Sequence, residues 1–147
     1  MIISGYASRF GERDAGGDTV HPGAFAASIL SQSRDLPMLS DHQRQVGTWT
    51  RAVEDAAGLY VEGEVNDPAL RRLIRAGKVT GLSIGYRTRR SRDGPGRRDL
   101  LDLDLKEISV VAFPMLGSAR IERVDDDPKE TLSSQTTPHH ANHRRIA

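Results

Sequence analysis

Three residue types in this chain can act together as a hydrolytic centre: a serine at Ser83, an imidazole at His42 and a carboxylate at Glu107. Ser83 lies in Gly81-Leu82-Ser83-Ile84-Gly85-Tyr86, where Leu82, Ile84 and Tyr86 alternate with smaller or polar residues, the period of a strand with one buried face. A glycine on either side of the serine leaves room for another backbone, or a substrate carbonyl, to approach its hydroxyl. Such a serine is either a small filler in a crowded sheet or a nucleophile. His42 follows a short apolar strand in the polar stretch Ser40-Asp41-His42-Gln43, the place of a base at the mouth of a barrel or of a surface-loop histidine. Glu107 stands where a strand turns wholly apolar, Ile108-Ser109-Val110-Val111-Ala112-Phe113, so its charge needs a partner: an arginine, or the second ring nitrogen of His42. Together the three supply nucleophile, base and orienter for attack on an amide carbonyl.

The elements that position them are short. Residues 2–8 and 36–39 are predicted strands, and residues 10–20 a glycine- and aspartate-rich loop. Pro22 opens a helix running to about residue 33, with Phe25, Ile29, Ala26 and Leu30 as its expected buried stripe. Residues 46–53 and 59–65 form a hairpin around Glu54-Asp55-Ala56-Ala57-Gly58. Asp67-Pro68 caps a helix over 69–76 with Leu70, Leu73 and Ile74 inward, and Gly77 closes it. The Ser83 strand turns at Asp93-Gly94-Pro95-Gly96 into a return strand from 101 to 113, which places Ser83 and Glu107 on neighbouring strands. A short last strand is expected over 119–124. The count predicts a mainly β, α+β domain: a small antiparallel β-barrel, closed or partly closed, with two or more helices packed outside. Residues 1–124 form that domain, and 125–147, rich in Asp, Pro, Ser, Thr, His and Asn, read as a disordered tail.

Composition narrows the function. With 147 residues, 37% hydrophobic and 28% charged, the chain is one polar domain able to bury an ordinary small core. The absence of cysteine excludes disulfides, thiolate nucleophiles and cysteine zinc sites, and agrees with a reducing cytoplasm. No apolar run approaches the roughly 18 residues of a membrane span, and the first residues carry neither a charged leader nor a secretory apolar region. A net charge of +1 does not argue for nucleic acid. Arg87, Arg89, Arg90, Arg92, Arg97 and Arg98 flank one hairpin without interleaved aromatics and are diluted by Asp93, Asp99, Asp102 and Asp104, so a solvated hairpin is expected. His139-His140-Ala141-Asn142-His143 lies in the tail with no carboxylate nearby, and neither a metal nor any cofactor is expected.

Six segments in order carry a resemblance. They are Gly5-Tyr6-Ala7-Ser8-Arg9-Phe10, Gly17-Asp18-Thr19-Val20-His21-Pro22-Gly23-Ala24-Phe25, and Leu39-Ser40-Asp41-His42 with Val46-Gly47-Thr48-Trp49. Then follow Gly58-Leu59-Tyr60-Val61, Gly81-Leu82-Ser83-Ile84-Gly85-Tyr86 and Lys106-Glu107-Ile108-Ser109-Val110-Val111-Ala112-Phe113-Pro114. Over roughly residues 4–120 the chain resembles the prohead maturation serine proteases of tailed bacteriophages and phage-like particles, distantly related to the herpesvirus assemblins. The resemblance implies an assemblin-like fold, Ser83 as nucleophile and His42 as base. It puts Glu107 in the third position, with Asp41 as the competing orienter, and oxyanion donors near 109–113 or a water held by an arginine, Arg87 being one choice.

The implied role is a serine endopeptidase that cleaves scaffold, or the N-terminal arm of the major capsid protein, inside the procapsid in the bacterial cytoplasm. The particle is a phage or a domesticated gene transfer agent. Those two proteins are the implied partners, with a homodimer or higher oligomer of the chain itself, no membrane and no specific nucleic acid. Autocleavage in the tail fits the family. The rival reading is a non-catalytic capsid-assembly or scaffold-binding module of the same fold, against which the presence of Ser83, His42 and Glu107 together argues.

Overall fold

A computed structural model of the protein describes residues 1–31 and 36–126. Eight strands and two helices follow one another: β1 (Ile2–Arg9), β2 (Asp18–Val20), α1 (Ala26–Ser31), β3 (Leu36–Ser40), β4 (Arg44–Glu54), β5 (Gly58–Val65), α2 (Pro68–Arg75), β6 (Gly81–Gly94), β7 (Arg97–Val111) and β8 (Ile121–Asp125). They make one sheet in the order β2-β7-β3-β4-β5-β1-β8, with β6 also paired to β7. The sheet curls into a half-barrel. Beyond the ladders, its ends meet at an isolated bridge between Gly81 and Arg120, where Leu82 N–H donates to Ala119 O and Ile121 N–H to Thr80 O, both at 2.9 Å. The barrel was expected closed or partly closed, and the described ladders curl without completing a closed ring. The expected antiparallel pairing is corrected: β2 and β3 run parallel to β7 while the other pairs are antiparallel.

The local signals that place these elements are chemical. Asp55 Oδ1 accepts from Ala57 and Gly58 N–H at 2.7 and 3.0 Å, an aspartate turn that closes the β4–β5 hairpin. Asp67 caps α2 by accepting Leu70 N–H at 2.8 Å, and Gly77 ends it at a φ of 69°. Leu70 and Ile74 turn into the core, whereas Leu73, expected inward, is 41% exposed. Trp49, Phe25, Met38, Leu59, Val61, Leu103 and Ile108 meet in the single core that the curled sheet encloses. The Trp49 indole N–H donates to Ile108 O at 3.0 Å, tying β4 to β7 through that core.

β7 organises the sheet. β6 occupies one of its edges, and the other is shared by β2, opposite residues 98–100, and β3, opposite 108–110. The gap between those two is covered by α1 and the turn before it. Leu103 N–H donates to Ala24 O at 2.9 Å, and the buried Ser28 hydroxyl donates to Leu103 O at 2.7 Å while accepting Leu105 N–H at 2.9 Å. Main-chain groups of a buried strand need partners, and here a helix side chain supplies them. The expected stripe on this helix is thus revised. Phe25 and Ile29 do face the core, but Ala26 is exposed, Leu30 is 88% exposed and Ser28 is the buried contact.

Residues 18–20, expected in a loop, form β2 because Asp18 is held from the side. Arg98 forks onto both Asp18 oxygens at 3.0 and 2.9 Å, and Tyr86 O–H donates to Oδ2 at 3.2 Å. The apolar run expected to continue to residue 113 ends at Val111, and Phe113 is 95% exposed. β8 reaches Asp125, one residue past the expected domain boundary. The end of the first predicted helix at 32–33, and the predicted tail from 127 with its His139, His140 and His143, lie outside the described residues.

Two outcomes follow from these contacts. Ser28→Ala leaves Leu103 O and Leu105 N–H buried without their partner, and urea unfolding should record a loss of about 1–3 kcal/mol. The Arg98 fork lowers the Asp18 carboxyl from its ordinary value of 3.8. A depressed carboxyl stabilises the fold above that value and loses its contribution as pH falls through the folded one. The urea midpoint of Asp18→Asn should therefore lie below wild type at pH 7, and the difference should close below about pH 4.

Candidate active site

The site is built on the β6–β7 hairpin. In its register Ser83 stands opposite Ser109 and Gly85 opposite Glu107. Residues directly opposite, and residues two apart on one strand, share a face, so Ser83, Gly85, Glu107 and Ser109 form a patch on one side of the sheet. β3 lies along the other edge of β7 in parallel, with Leu39 opposite Ser109 and Ser40 opposite Val110. It thereby delivers the next residues of the chain to the same place.

Those residues form a tight turn. Asp41 and His42 have φ of 48° and 61°, and Gln43 N–H donates to Ser40 O at 3.1 Å. Two successive residues at positive φ are the demand of a hairpin turn of this hand, and Asp and His adopt that region more readily than most side chains. The conformation is costly for any residue with a Cβ, and the contacts of His42 hold it. Its N–H donates to Ser109 Oγ at 2.9 Å, and its ring Nδ1 is hydrogen-bonded to Glu107 Oε1. Ser109 Oγ in turn donates to Glu107 Oε2 at 2.8 Å and lies 3.3 Å from His42 Nδ1.

Both oxygens of Glu107, a residue 9% exposed, are thus engaged. An ionised carboxylate only accepts, so with Glu107 ionised and the imidazole neutral this pairing puts the ring proton on Nδ1 and the lone pair on Nε2. That is the tautomer a general base needs. The histidine side chain is 45% exposed, so the ring is accessible from solvent. Asp41, the other carboxylate considered for this place, is exposed, and the acid on the ring is Glu107.

Ser83 is 8% exposed and its hydroxyl makes no hydrogen bond among the described residues, to His42 or to any other group. The structure therefore joins His42 to Glu107 directly and places Ser83 on the same face, unjoined. It also joins Ser109, which the sequence reading passed over as a side chain. The signal was available, since a serine two residues from a strand carboxylate shares its face.

The flanking glycines serve ends other than the one expected. A Cβ on Gly85 would lie 2.2 Å from Glu107 Oε1, so this glycine makes room for the carboxylate. A Cβ on Gly81 would lie 2.7 Å from the Pro114 ring. Ser109 and Val110, within the stretch expected to supply oxyanion donors, are paired on both edges of β7. Arg87 is exposed and opposite Asp104, farther along the hairpin. Of the remaining hairpin arginines, Arg89 pairs with Asp104, Arg97 with Asp99 and Arg98 with Asp18. Among the described residues no group of three or more His, Asp or Glu is placed to hold a metal ion, and no helix is long and apolar enough to cross a membrane.

The glycine gives a test of this geometry. Gly85→Ala should displace the Glu107 carboxylate from His42. The displacement should be read as a moved His42 ring resonance by NMR, with the fold retained by circular dichroism.

Comparison with known proteins places the chain. It is 34% identical over 140 residues to the prohead protease of Enterobacteria phage HK97, an alignment covering 84% of this chain and 61% of that protein. It is 31% identical over 122 residues to the prohead protease of Escherichia phage T5, covering 76% and 57%. The chain thus spans about three fifths of the length of these relatives. In fold it is similar to the KSHV protease in complex with a hexapeptide phosphonate inhibitor, at a TM-score of 0.62 and 15% identity, over 90% of this chain and 68% of that one. The Kaposi's sarcoma-associated herpesvirus protease in complex with a dimer disruptor gives 0.53 at 13% identity, over 95% and 84%. These herpesvirus likenesses are ones of architecture, the assemblin-like curled sheet. The caudovirus prohead serine protease family matches residues 1–134, nearly the whole sequence, and the chain belongs to that family.

Proposed function

We propose that the chain is a serine endopeptidase of head maturation that cuts scaffold, or the N-terminal arm of the major capsid protein, within the procapsid. The observation that carries this reading is the His42–Glu107 pair, its half-exposed imidazole on the face that also bears the unpartnered Ser83 hydroxyl. Ser83 acts as nucleophile, His42 as base and Glu107 as the group that fixes the ring's tautomer. Ser109 is a positioning residue that holds Glu107 Oε2 and the His42 main chain.

In the first step the Ser83 Oγ–carbon bond forms, the hydroxyl proton passes to His42 Nε2, and the carbonyl π pair moves to oxygen. Collapse of the tetrahedral adduct breaks the carbon–nitrogen bond, and the imidazolium protonates the departing amine. Water then enters by the same route, giving its proton to His42 and its oxygen to the acyl carbon; the Ser83 Oγ–carbon bond breaks and the imidazolium returns the proton to Ser83 Oγ. Glu107 remains ionised throughout and stabilises the imidazolium that forms at each stage. Hydrogen bonds between such a nucleophile and base are often long without substrate and tighten in the complex, which fits an unjoined Ser83.

The family's protease function and this geometry together favour catalysis over a purely structural assembly module. Co-expression with the major capsid protein of the same locus, followed by intact mass, separates the two. The expected result is a capsid protein shortened at its N-terminus, with the shortening abolished by Ser83→Ala. Unchanged masses in both, with particles still dependent on the chain for assembly, would replace the protease reading by the assembly-module reading.

A further inference from the structure

β6 is paired to β7 along one edge. Beyond its other edge lies a recess of about 110 Å³, walled by β6, β1, the loop leading to β2, and the segment after β7. Ser83 is part of its lining. The Ser83 residue is more than nine-tenths buried, its hydroxyl has no partner, and it is not among buried polar atoms cut off from solvent, so it opens on this space. At ~30 Å³ for each water-sized group, the recess holds one slender side chain. Ala7, Val20, Met115 and Leu116 supply apolar walls for its stem.

The rim is acidic. The two other charged groups of the lining have ionic partners: Asp18 is neutralised by the Arg98 fork, and Arg9 pairs with Glu122 at 2.7 Å. Arg13, outside the lining, donates to Gly96 O. Glu12 and Asp14 have no cationic partner among the described residues. Glu12 accepts only the Ser118 hydroxyl, and Asp14 Oδ1 accepts Gly16 and Asp18 N–H at 2.8 and 2.9 Å. Two uncompensated carboxylates above an apolar slot fit a side chain with an aliphatic stem and a cationic end.

The side of the scissile bond is set by the proton path. The amine leaving group must face His42, and neither β3 nor the His42 turn contributes to the recess. The recess therefore serves the acyl side, whose side chain begins one atom from the carbonyl that Ser83 attacks. We propose that it receives a basic side chain, lysine or arginine, at the residue whose carbonyl is cleaved, with Glu12 and Asp14 setting that preference. The inference rests on Ser83 being the nucleophile.

The test uses the full chain and two α-aminoalkyl diphenyl phosphonates that differ only in carrying a lysine or a norleucine side chain. Each reacts by forming a Ser83 Oγ–phosphorus bond and expelling phenoxide, which leaves as phenol with the serine proton, and intact mass follows the adduct. The lysine probe should label at least about tenfold faster at low salt. In Glu12→Gln/Asp14→Asn, which keeps every hydrogen-bond acceptor named above, the ratio of the two rates should fall to within about twofold. Reading a ratio within each protein cancels any general loss. Equal rates in the wild type, a ratio unmoved in the variant, or failure of both probes on a chain that trims capsid protein through Ser83 overturns the inference and leaves the protease reading standing. Absence of any Ser83-dependent labelling or trimming overturns both.

Discussion

A carboxylate that is nine-tenths buried must have both oxygens satisfied or lose its charge, and Glu107 meets this demand with two different partners. Oε1 takes the His42 ring and Oε2 takes Ser109 Oγ, which also receives the His42 main-chain N–H. The three groups close on one another, so moving any one leaves a buried polar atom of another exposed to the cost of an unmade bond. The positive φ at Asp41 and His42 is maintained by this closure. So is the glycine at 85, since any Cβ there would collide with the carboxylate. Strain in the turn and emptiness at the glycine are two sides of one constraint: an imidazole must reach across a strand edge to meet an acid.

The sheet supplies the rigidity this needs. β7 carries Glu107 and Ser109 and is held on both edges at that point, by β6 and by β3. Where the β3–β2 edge is vacant, α1 substitutes through Ser28, so the strand keeps its main-chain partners along the stretch that leads to the site. The Trp49 indole reaches β7 at Ile108, between Glu107 and Ser109 in the strand. Over residues 107–110 the strand's period of two separates Glu107 and Ser109 from Ile108 and Val110 in the core, and the irregularity beside Gly85 and Tyr86 returns Leu105 and Leu103 to the core although they share the parity of the acid.

Much of the candidate site was legible before the fold. Alternation around Ser83, a charged residue at the head of an apolar strand, and a histidine after a short strand marked the three residues. The β6–β7 turn implied that two of them are neighbours. The helix faces were less legible. α1 was expected to bury Ala26 and Leu30, and instead buries Ser28 because the strand beneath it offers main-chain groups rather than an apolar groove. β2 was hidden in a loop of glycines and aspartates, since its strand geometry comes from Arg98, eighty residues away, and not from local preference. Phe113 continued an apolar run in the sequence but stands 95% exposed, because the ladder that would have buried it ends at Val111.

The sequence by itself determined what depends on near neighbours: the strand periods, the capped α2, the two hairpins, and which serine, imidazole and carboxylate stand as candidates for catalysis. The tertiary structure decided what depends on distant ones. It set the parallel docking of β3 on β7, the choice of Glu107 over Asp41 as the partner of His42, and the entry of Ser109 into the cluster. The physical reason is one of separation. Local pattern fixes which face a side chain takes on its own strand, but which strand lies alongside is settled only when the chain closes. Residues 42 and 107, sixty-five apart, meet through that closure alone.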